Sequence, residues 1–172
     1  VNTLKIEDAT LSTLFAVTQE ESATKSEDIK FGIHQRMREG KALLNHTRFL
    51  GYTKDAEGQL VIVPEEADIV RKIFSLYLEG NGVRKIKRYL EEHGIRTVTG
   101  KSEWSTSTID RMLSNEKYMG TLLLQKTYTP DFLTGKQKKN RGELSMYMVE
   151  NAHEAIVEKK VFEAVQKKKH KK

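Results

Sequence analysis

HGIRTVTGKSEWSTSTIDRMLSN, residues His93 to Asn115, is the stretch on which the fold turns. Gly94 reads as a helix terminator, a polar turn follows, and the lone tryptophan, Trp104, precedes four hydroxyl residues, Ser105 to Thr108. Ser105 is the N-cap candidate for a helix over 106–114. Ile109, Met112 and Leu113 form its buried side, which leaves Ser107, Thr108, Asp110 and Arg111 pointing out. Trp104 reads as the seal on a core edge rather than a platform for stacking.

Two helices precede this one. PEEADIVRKIFSLYLEGNG (64–82) opens on Pro64 with acids in its first turn. It shows an apolar face of Ile69, Ile73, Phe74 and Tyr77 and stops at Gly80 or Gly82. VRKIKRYLEEHG (83–94) turns Val83, Ile86, Tyr89 and Leu90 inward and four basic residues outward. Three short helices, the last with small hydroxyls and an arginine exposed, resemble a helix-turn-helix. That arrangement brings small polar residues to base edges in the major groove, while hydroxyls and the helix N-terminus grip phosphates. The spacer Gly94–Trp104 is longer than the 3–4 residues typical of the motif.

Upstream, TKDAEGQLVIVP reads as a hairpin turning at Asp55–Gly58, its second strand ended by Pro64. KALLNHTRFLGY (41–52) reads as an extended connector carrying Asn45, His46 and Arg48. Before it, one helix runs from a cap at Asp8 or Thr10 to about Glu39, with Gly40 as its stop. Leu11, Leu14 and Phe15 give it one apolar face, and Ile29, Ile33 and Met37 another. Its middle is polar all round, as in helices that bridge two bodies. Thirty helical residues would span about 45 Å; two shorter helices broken near Ser22–Ser26 are the alternative. Downstream, TLLLQKT (121–127) and SMYMVE (145–150) read as the strands of a hairpin whose connection holds Lys136, Lys138, Lys139 and Arg141. VEKKVFEAVQKKKHKK closes the chain as a short helix running into a basic tail.

Charge follows this division. Residues 1–64 carry 8 Lys and Arg against 9 Asp and Glu; residues 83–141 carry 13 against 6, a net of +7; residues 158–172 carry 7 against 2, a net of +5. Localised positive charge fits a polyanionic partner such as nucleic acid, and equally a solvated surface with a loose lysine tail. No apolar run approaches the roughly 20 residues of a membrane helix, and no charged leader with an apolar block opens the chain at Val1. Without cysteine there is no disulfide framework or thiolate zinc site. His34, His46, His93, His153 and His170 show no ligand spacing. The expectation is a soluble cytosolic protein with no metal, cofactor, membrane or small-molecule substrate.

Several stretches resemble one family in family order. They are IVPEEADIVRKIFSLYLEGNGVRKIKRYLEEHGIRT, the Trp-Ser-x-x-Thr-Ile helix WSTSTIDRMLSNEKYMG with its Asn-x-x-Tyr-x-Gly turn, and ENAHEAIVEKKVFEAVQ with His-x-Ala-Ile-Val. They are similar to the recombinase domain of the large serine recombinases, the site-specific integrases and resolvases of bacteria, phages and mobile elements. TQEESATKSEDIKFGIHQRMREGK resembles the long helix closing their catalytic domain. The resemblance implies a phosphoserine intermediate formed by an upstream resolvase-type domain, and a cysteine-bearing zinc ribbon downstream. Neither stands in this sequence, so the expectation is a DNA-binding fragment, inactive alone. Ser105 and Ser107 then read as cap and contact residues, and Ser22 and Ser26 as helix surface. No residue is assigned as catalytic.

The expected fold is α+β, mainly α: a long N-terminal helix, then a helical, helix-turn-helix-like DNA-binding domain with a small β-hairpin or sheet. Its parts are residues 1–40 as linker and oligomerisation helix, 41–52 as a connector to the minor groove, and 53–172 as the DNA-binding domain. Candidate contacts to double-stranded DNA are Arg36, Arg38, Lys41, His46 and Arg48 along the helix and connector. Arg84, Lys85, Lys87 and Lys101 would touch the backbone. Ser105, Thr106, Ser107, Thr108, Asp110 and Arg111 would serve the recognition helix, and Lys136, Lys138 and Lys139 the loop. The partner would be an attachment or resolution half-site, with self-association through the N-terminal helix. Two alternatives stay open: a stand-alone winged-helix transcriptional regulator using the 121–150 hairpin as its wing, and a protein-interaction module whose charge is incidental.

Overall fold

The computed structural model describes residues 16–18, 20–21, 24–25, 27–36, 39, 48–130 and 134–171. Readings placed on Asp8, Thr10, Leu11, Leu14, Phe15, Ser22, Ser26, Met37, Arg38, Gly40, Lys41, Asn45 and His46 lie outside them. The chain divides into two compact units: the described residues of Val1–Ala42 with Leu124–Tyr147, and those of Leu43–Leu123 with Met148–Lys172.

The second, larger unit is built around three helices, α2 (Pro64–Leu78), α3 (Val83–Glu92) and α4 (Thr106–Leu113), joined by α5 (Lys159–His170). Pro64 at the first position and Glu65 and Glu66 in the first turn start α2 as the sequence anticipated. Its end is a Schellman turn: Gly80, at φ +103°, donates to Tyr77 O at 3.2 Å, and Asn81 N donates to Leu76 O at 3.1 Å. The same motif ends α3, where Gly94 N bonds Glu91 O and Ile95 N bonds Leu90 O. Apolar side chains at helical spacing then meet in one core. Ile73, Phe74, Ile86, Leu90, Trp104, Ile109, Leu113, Tyr118 and Val165 are almost wholly removed from water. Each such side chain is worth roughly 1.5–3 kcal/mol of burial.

A hairpin packs on this core. β1 (Tyr52–Lys54) and β2 (Leu60–Ile62) pair antiparallel, with Tyr52 opposite Ile62. Asp55 Oδ1 accepts from Gln59 N at 2.7 Å to close the turn anticipated at Asp55–Gly58. Phe49, Leu50, Gly51 and Tyr52, read as the end of the connector, are buried. Two aromatic rings and a leucine in four residues gain more from the core than from an extended path in water.

The short 3-10 helix η1 (Glu116–Met119) follows α4, capped by Asn115, whose side chain accepts from Lys117 N. β3 (Leu122–Leu124) and β6 (Tyr147–Val149) pair in a two-stranded sheet, but the strand expected over 121–127 ends at Leu124, where Gln125 takes a positive φ of 63° and Thr127 pairs elsewhere.

In the other unit, residues 27–36 are helical (α1), as are the described residues of 16–25. β4 (Thr127–Tyr128) and β5 (Lys138–Lys139) pair antiparallel. Asn140 holds the turn after β5: its Nδ2 donates to Gln125 O and Leu144 O, and its Oδ1 accepts from Gly142 N and Leu144 N. The architecture is thus α+β and mostly helical, with small sheets. Among the described residues no helix is long and apolar enough to cross a membrane.

Candidate nucleic-acid interface

The site is built from Trp104 outward. Its indole is buried, its Nε1 donates to Ile95 O at 2.7 Å, and its backbone N donates to Glu91 Oε1 at 2.8 Å. The long spacer is therefore folded back on α3. Thr97 N donates to Lys101 O, Gly100 N donates to Thr97 O, and Arg96 Nη1 donates to Gly100 O. Trp104 delivers the chain to Ser105, which caps α4 by accepting from Ser107 N.

On α4, Ser107, Asp110, Arg111 and Ser114 follow at i, i+3, i+4 and i+7, so they form one stripe, and all four are exposed. Thr108 is exposed at its edge and Thr106 is half-buried on the other side. The core side holds Ile109, Met112 and Leu113, as the sequence anticipated. Among the described residues these polar groups are not equally open. Ser107 Oγ lies 2.7 Å from Ser105 Oγ, and Ser114 Oγ donates to Asp110 O at 3.0 Å. The guanidinium of Arg111 and the hydroxyl of Thr108 make no hydrogen bond or ion pair with described residues. Both residues are exposed.

Asp110 is held from the far end of the chain. Lys169 Nζ donates to Asp110 Oδ1 at 2.6 Å, to Asp110 O at 3.1 Å and to Ser114 Oγ at 2.6 Å. Its neighbour Lys168 donates to Leu78 O at 2.7 Å, and Gln166 Nε2 donates to Leu113 O at 2.7 Å. Read from sequence, these lysines are a basic tail. They are instead the last turn of α5, clasping the carboxyl ends of α2 and α4, where carbonyls carry the negative end of the helix dipole. Nothing in the local sequence gave this away, because the partners lie 53 to 90 residues apart.

Of the backbone candidates in this unit, Arg48, Arg84, Lys85 and Lys101 are exposed and make no ion pair among the described residues; Arg88 joins them one turn after Arg84. Lys87 is different. It lies 3.6 Å from both Glu91 and Glu103, so two carboxylates already offset its charge. In the other unit, Arg36, Lys136, Lys138 and Lys139 are exposed.

The remaining sequence motifs converge on a joint behind the helices. Tyr118 O accepts from both Ile156 N (3.0 Å) and Val157 N (2.9 Å), and Gly120 O accepts from Ala152 N at 2.9 Å. Tyr52 Oη donates to Glu154 O at 2.7 Å and accepts from Ile156 N at 3.2 Å. Burial pushes the Tyr52 phenol up to about 12 and the Tyr118 phenol higher still, so both stay neutral donors. Asn-x-x-Tyr-x-Gly and His-x-Ala-Ile-Val are thus architectural in this unit: they dock the segment leading into α5 against η1.

The chain belongs to the Recombinase family, whose model matches residues 64–172. It is 27% identical over 133 residues to a "Putative DNA recombinase" of Bacillus subtilis (strain 168), matching 74% of this chain and 26% of that protein. It is 31% identical over 58 residues to "Uncharacterized protein YbcK" of Escherichia coli (strain K12), 33% of this chain and 11% of that one. The chain therefore spans about a quarter or less of these curated relatives. Two solved structures share its fold at a TM-score of 0.59 and cover 84% of it. One, described as "Crystal Structure of a LSR-DNA Complex", is 19% identical with 38% of its chain covered. The other, described as "Sequence Requirements of the Listeria innocua prophage attP site", is 20% identical with 52% covered. The resemblance to the large serine recombinases drawn from the sequence motifs holds at the level of family and fold.

Proposed function

We propose that this chain is a DNA-binding part of a serine site-specific recombinase, recognising a half-site of double-stranded DNA with α4 laid in the major groove. The observation that carries the reading is Arg111. It is a guanidinium with no intramolecular partner among the described residues, on the exposed stripe of a helix whose other face is locked into a core. Arginine in that setting matches the paired acceptors of guanine. Arg84, Lys85, Arg88 and Lys101, exposed and uncompensated, supply phosphate contacts. Family membership and a fold shared with a recombinase solved on DNA support the same reading.

In this account the phosphoserine chemistry belongs to the whole recombinase. Ser105 and Ser107 are engaged in capping α4 and are not assigned as nucleophiles. Residues 1–40 serve as the linker and self-association helix, and 41–48 deliver basic side chains, Arg48 among them, to the minor groove. Lys136, Lys138 and Lys139 add backbone contacts. Fluorescence anisotropy against a library of short duplexes at two or more salt concentrations tests the proposal. About six phosphate contacts give a log–log salt slope near −5, with a subset of sequences bound well above the rest. Equal, weak binding to every duplex would exclude it.

A further inference from the structure

We propose that Asp110 selects an exocyclic amino group on a base, cytosine N4 or adenine N6, and that Lys169 is its positioning residue; the inference rests on α4 being the helix that reads DNA. An ammonium has three donors, and those of Lys169 are matched by Asp110 Oδ1, Asp110 O and Ser114 Oγ. It has none left for a phosphate, and its side chain is only 18% exposed. Asp110 is 55% exposed, and its second carboxylate oxygen makes no hydrogen bond among the described residues.

The pair therefore presents one fixed, outward acceptor on the exposed stripe. An unpaired carboxylate beside a polyanion would be repelled; here the ammonium at 2.6 Å offsets that charge. A carboxylate only accepts, so in the major groove it favours the amino groups of cytosine and adenine and disfavours the O6 and N7 of guanine and the O4 of thymine. Its neighbour Arg111 only donates and favours the opposite pattern. Adjacent positions of one stripe then discriminate complementary base edges. The clasp would hold the aspartate in one rotamer: Lys169 sits on α5, itself fixed by Gln166 on Leu113 O.

The test is selection from a randomised duplex library by the full chain and by Asp110→Ala, Lys169→Met and Lys169→Arg, with circular dichroism on each protein. The expected wild-type profile favours cytosine or adenine at one position by about tenfold, the discrimination one good side chain–base pair gives. The base found there tells the two amino groups apart. Asp110→Ala should lose that preference and keep the others. Lys169→Met should weaken the same position, and Lys169→Arg should restore part of it. An Asp110→Ala profile matching wild type everywhere would make the pair a structural clasp and overturn the proposal, even if Lys169→Met failed to fold. A wild-type chain with no preference at any position would instead remove the DNA-reading role of α4 itself.

Discussion

The phenol of Tyr118 donates to the backbone carbonyl of Leu50 at 3.1 Å, inside the core and across 68 residues of sequence. The same residue's carbonyl receives Ile156 and Val157, so one side chain and its backbone join the hairpin segment, η1 and the approach to α5. Tyr118→Phe keeps the ring and removes the donor, leaving the Leu50 carbonyl without it. The expected cost is about 1–3 kcal/mol, read as a lower urea midpoint at unchanged slope. An unchanged midpoint would mean that the packing of the ring carries the joint alone.

Gly120 closes the same joint. Its φ is +77°, and a Cβ there would stand 2.7 Å from His153 O, a backbone atom that cannot swing away. Gly120→Ala combines left-handed strain with a steric clash and should cost on the order of 2 kcal/mol or more. Gly58→Ala has a similar φ of +81° but meets nothing within 4 Å, so it should cost less. Comparing the two melting temperatures separates strain from collision.

These residues also mark where the sequence was and was not legible. Pro64, Gly80, Gly94 and Ser105 are local signals, and the helices they bound form where the periodicity put them. The buried side of α4 was legible for the same reason: Ile109, Met112 and Leu113 need only helical spacing to be read. The clasp of Lys168 and Lys169 was not, since a lysine run reads alike whether solvated or folded back on distant carbonyls. Phe49 to Tyr52 were drawn into a connector because their burial depends on Tyr118 and His153, both far along the chain. The capping role of Ser105 was legible from its place before the helix, whereas its 2.7 Å hydroxyl contact with Ser107 depends on rotamers that sequence does not encode.

His153 makes stability depend on pH in a definite direction. Its Nε2 donates to Lys117 O at 2.7 Å, its ring meets Tyr52 edge-on, and its buried Nδ1 has no partner among the described residues. Burial, outweighing the opposing bond to Lys117 O and aided by the nearby Lys117 charge, holds its pKa below the ordinary 6.5. As pH falls through 6.5 the unfolded chain binds a proton that the folded chain resists. The unfolded state then holds more protons, and stability is lost as pH drops. Melting temperatures of wild type and His153→Gln should lie furthest apart above pH 6.5 and converge in acid. A constant gap would show that the imidazole titrates normally.

Arg111 and the exposed cations of the same unit should separate by the quantity each one changes. If Arg111 pairs with base acceptors, Arg111→Ala should cost about 1–3 kcal/mol on the preferred duplex, little on random DNA, and relax specificity at one position. Arg84→Ala and Lys101→Ala should weaken both duplexes alike and each reduce the salt slope by about 1. Lys87→Ala should leave the slope almost unchanged, because Glu91 and Glu103 already stand 3.6 Å from its ammonium. Anisotropy titrations of the four variants at three salt concentrations resolve these outcomes. Equal losses for Arg111→Ala on specific and random DNA would make that arginine a phosphate clamp and move base reading to Thr108 and its neighbours on α4.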